Sequence, residues 1–401
     1  MENQFESKTP LQQSLVNVTG LGSQLGIFDQ TYDEPYLDIS EAPWLETGES
    51  LQTQQNQEAA RHFNHDKSMR KSSAKWMDFI ESGKFKRFEA SAASEADEDR
   101  ATQLKEYIAL NKENGGEKRK MAEIPTAYKA LLEELDQNYG NFSEVTQAIR
   151  EDFSKEMAYG DLCVKFRPIL LAGPPGVGKT AYTKELARIL NLPTLMIDFA
   201  SADNTFDIVG MARGWAGSHI GKICDFLLSN KFGNGIIMID EVDKAQNGPN
   251  GSKPINTLYP LLEPENSKQF TDNWLKTPIN ASELNYILTA NYLEDIPKPI
   301  LSRCNVFHIE PPTPTQMYGV VRNVHRNICS DYKYLPLGMR QLSDDVVEEL
   351  SSLSPREIRK TIDAVIGKIA DSNPEQDSIT ADDVHETMPK ATTPRKQIGF
   401  F

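Results

Sequence analysis

Hydrophobic and polar positions fall into distinct blocks along the chain. From Met1 to about Ala60 the residues are mainly Gln, Asn, Ser, Thr and Gly, with scattered aromatics such as Tyr32, Tyr36 and Trp44. Without sustained periodicity this block predicts a mostly disordered region, with Tyr36 to Leu45 as a candidate docking segment. Ser73 to Phe88 carries Trp76, Phe79 and Ile80 and predicts one amphipathic helix, whereas Ala90 to Arg100, small and acidic, reads as a linker. Compact structure is expected from near Ile124. There Ala127 to Leu135 and Phe142 to Met157 have apolar residues at helical spacing, parted by a turn at Asn138-Tyr139-Gly140-Asn141.

The central block alternates between short apolar runs and helical segments. Phe166 to Leu171, Thr194 to Phe199, Ile236 to Ile239, Leu284 to Ala290 and Val306 to Ile309 read as strands. Continuous apolar strands separated by helices predict an α/β fold, a parallel sheet covered on both faces. After Pro311-Pro312-Thr313-Pro314 the pattern becomes wholly helical through Thr315 to Ser330, Ser343 to Ser351, Pro355 to Asp371 and Thr380 to Met388, a second and smaller domain. There is no internal repeat.

The first strand runs into Gly173-Pro174-Pro175-Gly176-Val177-Gly178-Lys179-Thr180, a complete phosphate-binding loop followed by a helical segment, Ala181 to Leu190. Its glycines let successive N–H groups turn toward the phosphates, Lys179 neutralises charge, and the Thr180 hydroxyl can ligand Mg²⁺. A helix N-terminus behind the loop favours an anion there. Binding of a nucleoside triphosphate, ATP with Mg²⁺, is therefore expected. A second element, Ile236 to Ile239 followed by Asp240-Glu241, ends an apolar strand in two carboxylates. Asp240 is placed to hold Mg²⁺ beside Thr180, and Glu241 to polarise the water that attacks the γ-phosphate. Asn291, at the tip of the next strand, can orient that water. Arg303 precedes the last strand and Arg356 opens a helix of the second domain, and both are candidates to stabilise phosphoryl charge.

Composition narrows the partners. Net charge is −15, and within residues 1–60 ten acidic side chains face Lys8 alone. Such a chain is a poor general binder of polyanions, and the basic cluster Lys67, Arg70, Lys71 and Lys75 reads first as a solvated helix face, with a nucleic-acid site as the alternative. The cysteines, Cys163, Cys224, Cys304 and Cys329, are widely spaced, so neither a zinc site nor a disulfide framework is indicated. The first residues lack a basic and apolar leader, and no run approaches a membrane span, so a cytoplasmic location without membrane contact is expected.

The order of phosphate loop, Asp-Glu strand end, strand-tip Asn, later Arg and helical domain with its own Arg resembles the AAA+ ATPases. Within these, Ile239-Asp240-Glu241-Val242-Asp243-Lys244, Leu261-Leu262-Glu263-Pro264-Glu265-Asn266, Phe270-Thr271-Asp272 with Trp274-Leu275, and Thr289-Ala290-Asn291 look like the ATPase module of Lon proteases. The resemblance covers about residues 125 to 390. It implies an AAA+ P-loop sheet with a C-terminal helical lid, and ATP hydrolysis. By this resemblance Asn291 is the sensor 1 residue, Arg303 an arginine finger acting on a neighbouring subunit and Arg356 sensor 2; Tyr139-Gly140 stands where the adenine pocket begins. It further implies a homo-oligomer, a hexameric ring, and a protein client gripped by the pore-loop stretch Gly214-Trp215-Ala216-Gly217. Trp215 keeps the family's aromatic, whereas Ala216 is smaller than the usual aliphatic; a packing role for Trp215 stays open.

The expected organisation is an acidic, mostly disordered region and linker over residues 1–100, the ATPase domain with its preceding helices over 101–311, the lid over 312–390 and a tail over 391–401. With only Ala391 to Phe401 following the lid here, no counterpart of Lon's peptidase is expected, and a separate effector is expected to supply any cutting. The N-terminal segment or the terminal Phe400-Phe401 could dock such an effector, a frayed terminus without function being the other reading of the tail. Three functions stay in play: a protein remodeller or unfoldase without its own protease, an ATPase acting on nucleic acid or nucleoprotein, and an ATP-gated scaffold or switch.

Overall fold

The computed structural model describes residues 75–200, 205–245 and 253–388 of the chain. The segment Tyr36 to Leu45, the bases Lys67, Arg70 and Lys71, and the tail with Phe400 and Phe401 lie outside the described residues. No helix among the described residues is long and apolar enough to cross a membrane.

The described part of the stretch expected as one helix from Ser73 is instead a strand followed by a helix. Trp76–Asp78 pairs antiparallel with Lys118–Lys120, and helix α1 (Ser82–Ala93) follows. The expected linker is largely helical too, because α1 runs on through Ala90 to Ala93 and α2 (Glu98–Glu113) begins soon after. Two local signals account for this. Alanine is the strongest helix former, and the acidic cluster is a helix start: Asp97 accepts the Arg100 N–H at 3.0 Å, with Glu98 and Asp99 in the first turn. Compact structure thus begins well before Ile124. Phe79, Ile80, Phe85, Phe88 and Leu104 all join the main core.

A buried arginine fastens this segment. Arg119 is fully buried with its guanidinium 4.0 Å from the Phe79 ring centroid, and it donates to the carbonyls of Leu227, Gly116 and Lys118 at 3.1, 3.2 and 3.0 Å. Burial pulls its pKa down to about 10, so it remains a cation at neutral pH.

Helices α3 (Tyr128–Asn138) and α4 (Ser143–Tyr159) precede the sheet. Its strands are β1 (Ile169–Ala172), β2 (Thr194–Asp198), β3 (Ile236–Asp240), β4 (Asn285–Ala290) and β5 (Asn305–His308), with α5 (Lys179–Ile189) after β1 and α6 (Lys222–Ser229) before β3. All five pair in parallel, in the order β2-β3-β4-β1-β5. Alternate side chains enter opposite cores, as the pleat requires. Leu170, Ile237, Ile239 and Leu288 meet α1, α2 and α6, while Ile169, Leu171, Ile236 and Ile287 meet α3, α4 and α5. The doubly covered parallel sheet expected from the apolar runs is therefore present.

The smaller domain consists of α7 (Pro314–Asp331), α8 (Asp344–Leu350), α9 (Pro355–Ser372) and α10 (Ala381–Thr387) around a separate core with Val321, Val347, Ile358 and Ile362. Capping boxes start α7 at Thr313/Gln316, α9 at Ser354/Glu357 and α10 at Thr380/Asp383. The first of these helices lies on the main domain, where a Cβ on Gly319 would come within 2.2 Å of the Gln137 carbonyl oxygen.

At the base of the sheet, buried Asn234 acts as a polar bracket. Its Oδ1 accepts the Ala122 N–H at 2.8 Å, and its Nδ2 donates to the carbonyls of Ala122 and Val164, each at 2.9 Å. Asn234→Leu would leave one donor and two acceptors without these partners, so a stability loss of about 2–4 kcal/mol is expected. Urea unfolding measures it; a variant as stable as the parent would show that the bracket is dispensable.

Candidate functional site

The parallel order brings the ends of β1, β3 and β4 to one edge of the sheet. The phosphate loop leaves β1 there and enters α5. Two of its glycines are constrained for different reasons. Gly178, the residue before α5, has φ of 103°, in the left-handed region that side chains disfavour. Gly173 passes so near the end of β5 that a Cβ would meet the Ile309 carbonyl oxygen at 2.2 Å.

Lys179 and Thr180 open α5. The Lys179 ammonium donates to the carbonyls of Gly173 and Pro174 at 2.6 and 3.1 Å and to Asn291 Oδ1 at 3.1 Å. Burial lowers its pKa, opposed by the nearby carboxylates of Asp240, Asp243 and Glu241. Thr180 Oγ1 donates to Asp240 Oδ2 at 3.1 Å. A hydroxyl and a carboxylate converging beside an ammonium form a hard oxygen donor set suited to Mg²⁺ and adjoining phosphate oxygens.

Glu241 adopts a left-handed backbone, φ 55° and ψ 48°, an uncommon conformation for a side-chain-bearing residue. Its Oε1 accepts from Lys244 Nζ at 2.5 Å, and this hydrogen bond raises the lysine pKa. Its backbone N–H donates to Thr289 Oγ1 at 3.0 Å. Asp243 spans the gap to the neighbouring strand, its Oδ2 accepting from the N–H groups of Asn291 and Tyr292 at 3.1 and 3.2 Å.

Lys179, Thr180, Asp240, Glu241, Thr289 and Asn291 line a cleft of about 660 Å³ that also includes Arg356, Arg359 and Lys360 of the helix α9. The Ser354/Glu357 capping box fixes where α9 begins, and so where Arg356 emerges. Arg359, one turn on, shares its face and is paired with Asp331 at 2.5 Å. Of the residues singled out from the sequence, Gly176, Gly178, Lys179, Thr180, Asp240, Glu241, Asn291 and Arg356 are brought together on the walls of this cleft. Thr289, Asp243 and Arg359 were missed. The available signals were a hydroxyl two residues before Asn291, an acid two residues after Glu241 and helical spacing from Arg356.

The remaining candidates stand elsewhere. Tyr139 is buried edge-on against Phe142 and Tyr182, at centroid distances of 6.2 and 5.8 Å, while Gly140 backs onto Gln316. Both sit behind the phosphate loop. Asn141 connects their turn to it by donating to the Val177 carbonyl at 3.3 Å and that of Glu310 at 3.0 Å. Arg303 lines a separate cavity of about 330 Å³ with Lys165, Arg167 and Tyr286, and its Nε donates to Glu263 Oε1 at 2.8 Å. Trp215 is 69% exposed at the tip of a loop closed by the Met211 N–H to His219 carbonyl bond, 2.8 Å. Ala216 beside it is exposed as well.

Residues 169–311 match the family model described as "ATPase family associated with various cellular activities (AAA)". This region is an AAA ATPase domain. It resembles the ATPase module of Lon proteases: the peroxisomal Lon protease homolog 2 of Oryza sativa subsp. indica is 28% identical over 259 residues, 63% of this chain and 29% of that protein. The mitochondrial Lon protease homolog of Zea mays is 32% identical over 198 residues, 49% of this chain and 19% of its own length. The corresponding protein of Kluyveromyces lactis is 33% identical over 186 residues, 46% and 16% respectively. The chain spans less than a third of these relatives' lengths, and its matched family region holds the phosphate loop, Asp240, Glu241, Asn291 and Arg303.

For this ATPase, Lys179→Ala is expected to weaken ATP binding at least about tenfold, near 1.4 kcal/mol, by removing the ammonium from the loop. Titration with a fluorescent ATP analogue tests this. Parental affinity in the variant would remove Lys179 from the phosphate site.

Proposed function

We propose that this AAA+ ATPase is a ring-forming protein remodeller that couples Mg-ATP hydrolysis to movement of a polypeptide past Trp215. In this reading the loop from Gly173 to Thr180 holds the triphosphate, with Pro174, Pro175 and Val177 shaping its turn. Thr180 and Asp240 hold Mg²⁺, which supplies charge neutralisation at the phosphates. Glu241 accepts a proton from the attacking water, Asn291 orients that water, and Arg356 senses the phosphates from the lid. Tyr139 and Gly140 set the turn at the adenine end.

One observation carries the oligomeric part. Arg303 lines a cavity other than the cleft that holds Lys179, Glu241 and Arg356. An arginine directed away from its own chain's phosphates can serve those of a neighbour, and a closed ring, a hexamer in this proposal, would give every cleft such a partner. The exposure of Trp215 supports a client contact over packing, because an indole left in water at a loop tip contributes little to folding.

A switch-like role has a specific observation in its favour. The Lys244 ammonium occupies Oε1 of Glu241, and a general base held in an ion pair hydrolyses slowly until that pair opens. Slow turnover would suit an ATP-gated scaffold.

Three variants test the proposal. Glu241→Gln is expected to lower steady-state turnover at least about 100-fold while retaining ATP; undiminished phosphate release would sink the assignment. Arg303→Ala should be inactive alone yet regain activity when mixed with Glu241→Gln subunits, as each contributes what the other lacks at shared interfaces. Failure of every mixing ratio to restore hydrolysis would count against a finger acting in trans. Trp215→Ala should hydrolyse ATP within about twofold of the parent but lose unfolding of a tagged reporter protein, and intact unfolding would refute the pore role.

A further inference from the structure

The proposed roles of Asp240 and Glu241 leave open what holds two adjacent carboxyl residues in different orientations. Backbone register supplies part of the answer. Ile239 stands opposite Leu288 in the β3–β4 pair, so the next residues along, Asp240 and Thr289, lie side by side. Thr289 is fully buried, and its hydroxyl stands between the two acids. It accepts the Glu241 backbone N–H at 3.0 Å and is hydrogen-bonded to Asp240 Oδ1.

The proton positions in this chain follow from chemistry. An amide N–H can only donate and an ionised carboxylate can only accept, so the Thr289 hydroxyl must accept from Glu241 and donate to Asp240. The other Asp240 oxygen, Oδ2, receives the Thr180 hydroxyl at 3.1 Å. Both Asp240 oxygens are therefore engaged by hydroxyls from different elements, which fixes the plane of the carboxylate. Threonine suits the position because its β-branched side chain is stiff about χ1, and a buried hydroxyl with both partners assigned has little freedom to rotate away.

On this geometry we propose that Thr289 is a positioning residue for hydrolysis. Its hydroxyl holds Asp240 in the orientation that presents Oδ2 to Thr180 and the metal, and holds Glu241 in its left-handed backbone conformation. It touches neither nucleotide nor water in this proposal, and acts only through the two acids. The inference rests on the reading of Asp240 and Glu241 given above, and it predicts a hydroxyl-dependent defect in turnover and Mg²⁺ use, with nucleotide affinity spared.

The test compares Thr289→Val, which keeps the shape but removes the hydroxyl, with Thr289→Ser, which keeps the hydroxyl and loses a methyl. Thr289→Val is expected to lower kcat about 10- to 100-fold and raise the Mg²⁺ concentration for half-maximal rate several-fold. Its affinity for ATP in EDTA should stay within about threefold of the parent. Thr289→Ser should recover most of the turnover. Should the valine variant fail to fold, Thr289→Ala gives the same comparison without added bulk. A parental kcat and Mg²⁺ response without the hydroxyl would overturn the inference, as would equal defects in the serine and valine variants or a matching loss of Mg²⁺-free binding. Glu241→Gln run in parallel separates the two levels. If that variant is inactive and Thr289→Val is normal, only the Thr289 assignment fails; if it is fully active, the underlying reading of Glu241 fails with it.

Discussion

Parallel pairing of β3, β4 and β1 is the constraint on which the site depends. Parallel strands all end at the same edge, so the loop after β1, the carboxylates closing β3 and the asparagine following β4 become neighbours although Asn291 lies 118 positions after Gly173. An antiparallel neighbour would send one of these ends to the far side. The price of such a sheet is that both faces must be covered, and helices α1, α2 and α6 on one side with α3, α4 and α5 on the other meet that need.

Polar brackets at the two ends of the strands keep the register. At the base, Asn234 is joined by buried Asn285, which accepts the Phe166 N–H at 3.0 Å and donates to the Asn234 carbonyl at 2.9 Å. At the functional edge, Asp243 and Thr289 cross from one strand end to the next. Because a one-residue slip would invert every side chain on a strand, buried hydrogen bonds with a single satisfactory partner reinforce what apolar packing selects. The lid adds a wall to this edge through α9, whose capping box places Arg356 toward the cleft.

Local order in the sequence was readable where a short pattern has one physical meaning. The five strands, the phosphate loop and the lid helices follow from apolar runs, glycine placement and amphipathic spacing, and each lies within a few residues of its expected place. Ala90 to Arg100 was harder. An alanine-rich acidic stretch satisfies both a linker's composition and the end and start of two helices, and burial of Phe85, Phe88 and Leu104 in the main core adds to the local helix signals in favour of the second. Trp76 likewise sits in a strand because its partner, Lys120, comes from a segment too distant for local periodicity to reveal.

The sequence by itself therefore determined the chemistry available: a glycine-rich loop with lysine and threonine, paired acids at a strand end, and arginines before and within the helical domain. These identities are written in consecutive residues, where backbone conformation and side-chain type act over a few positions. Tertiary structure alone decided which of them meet. It put Arg356 in the cleft and Arg303 in another cavity, left Trp215 in solvent, and made Thr289 the link between Asp240 and Glu241. Such relations depend on strand order and helix packing, which arise from contacts between residues far apart in the chain and have no local signature.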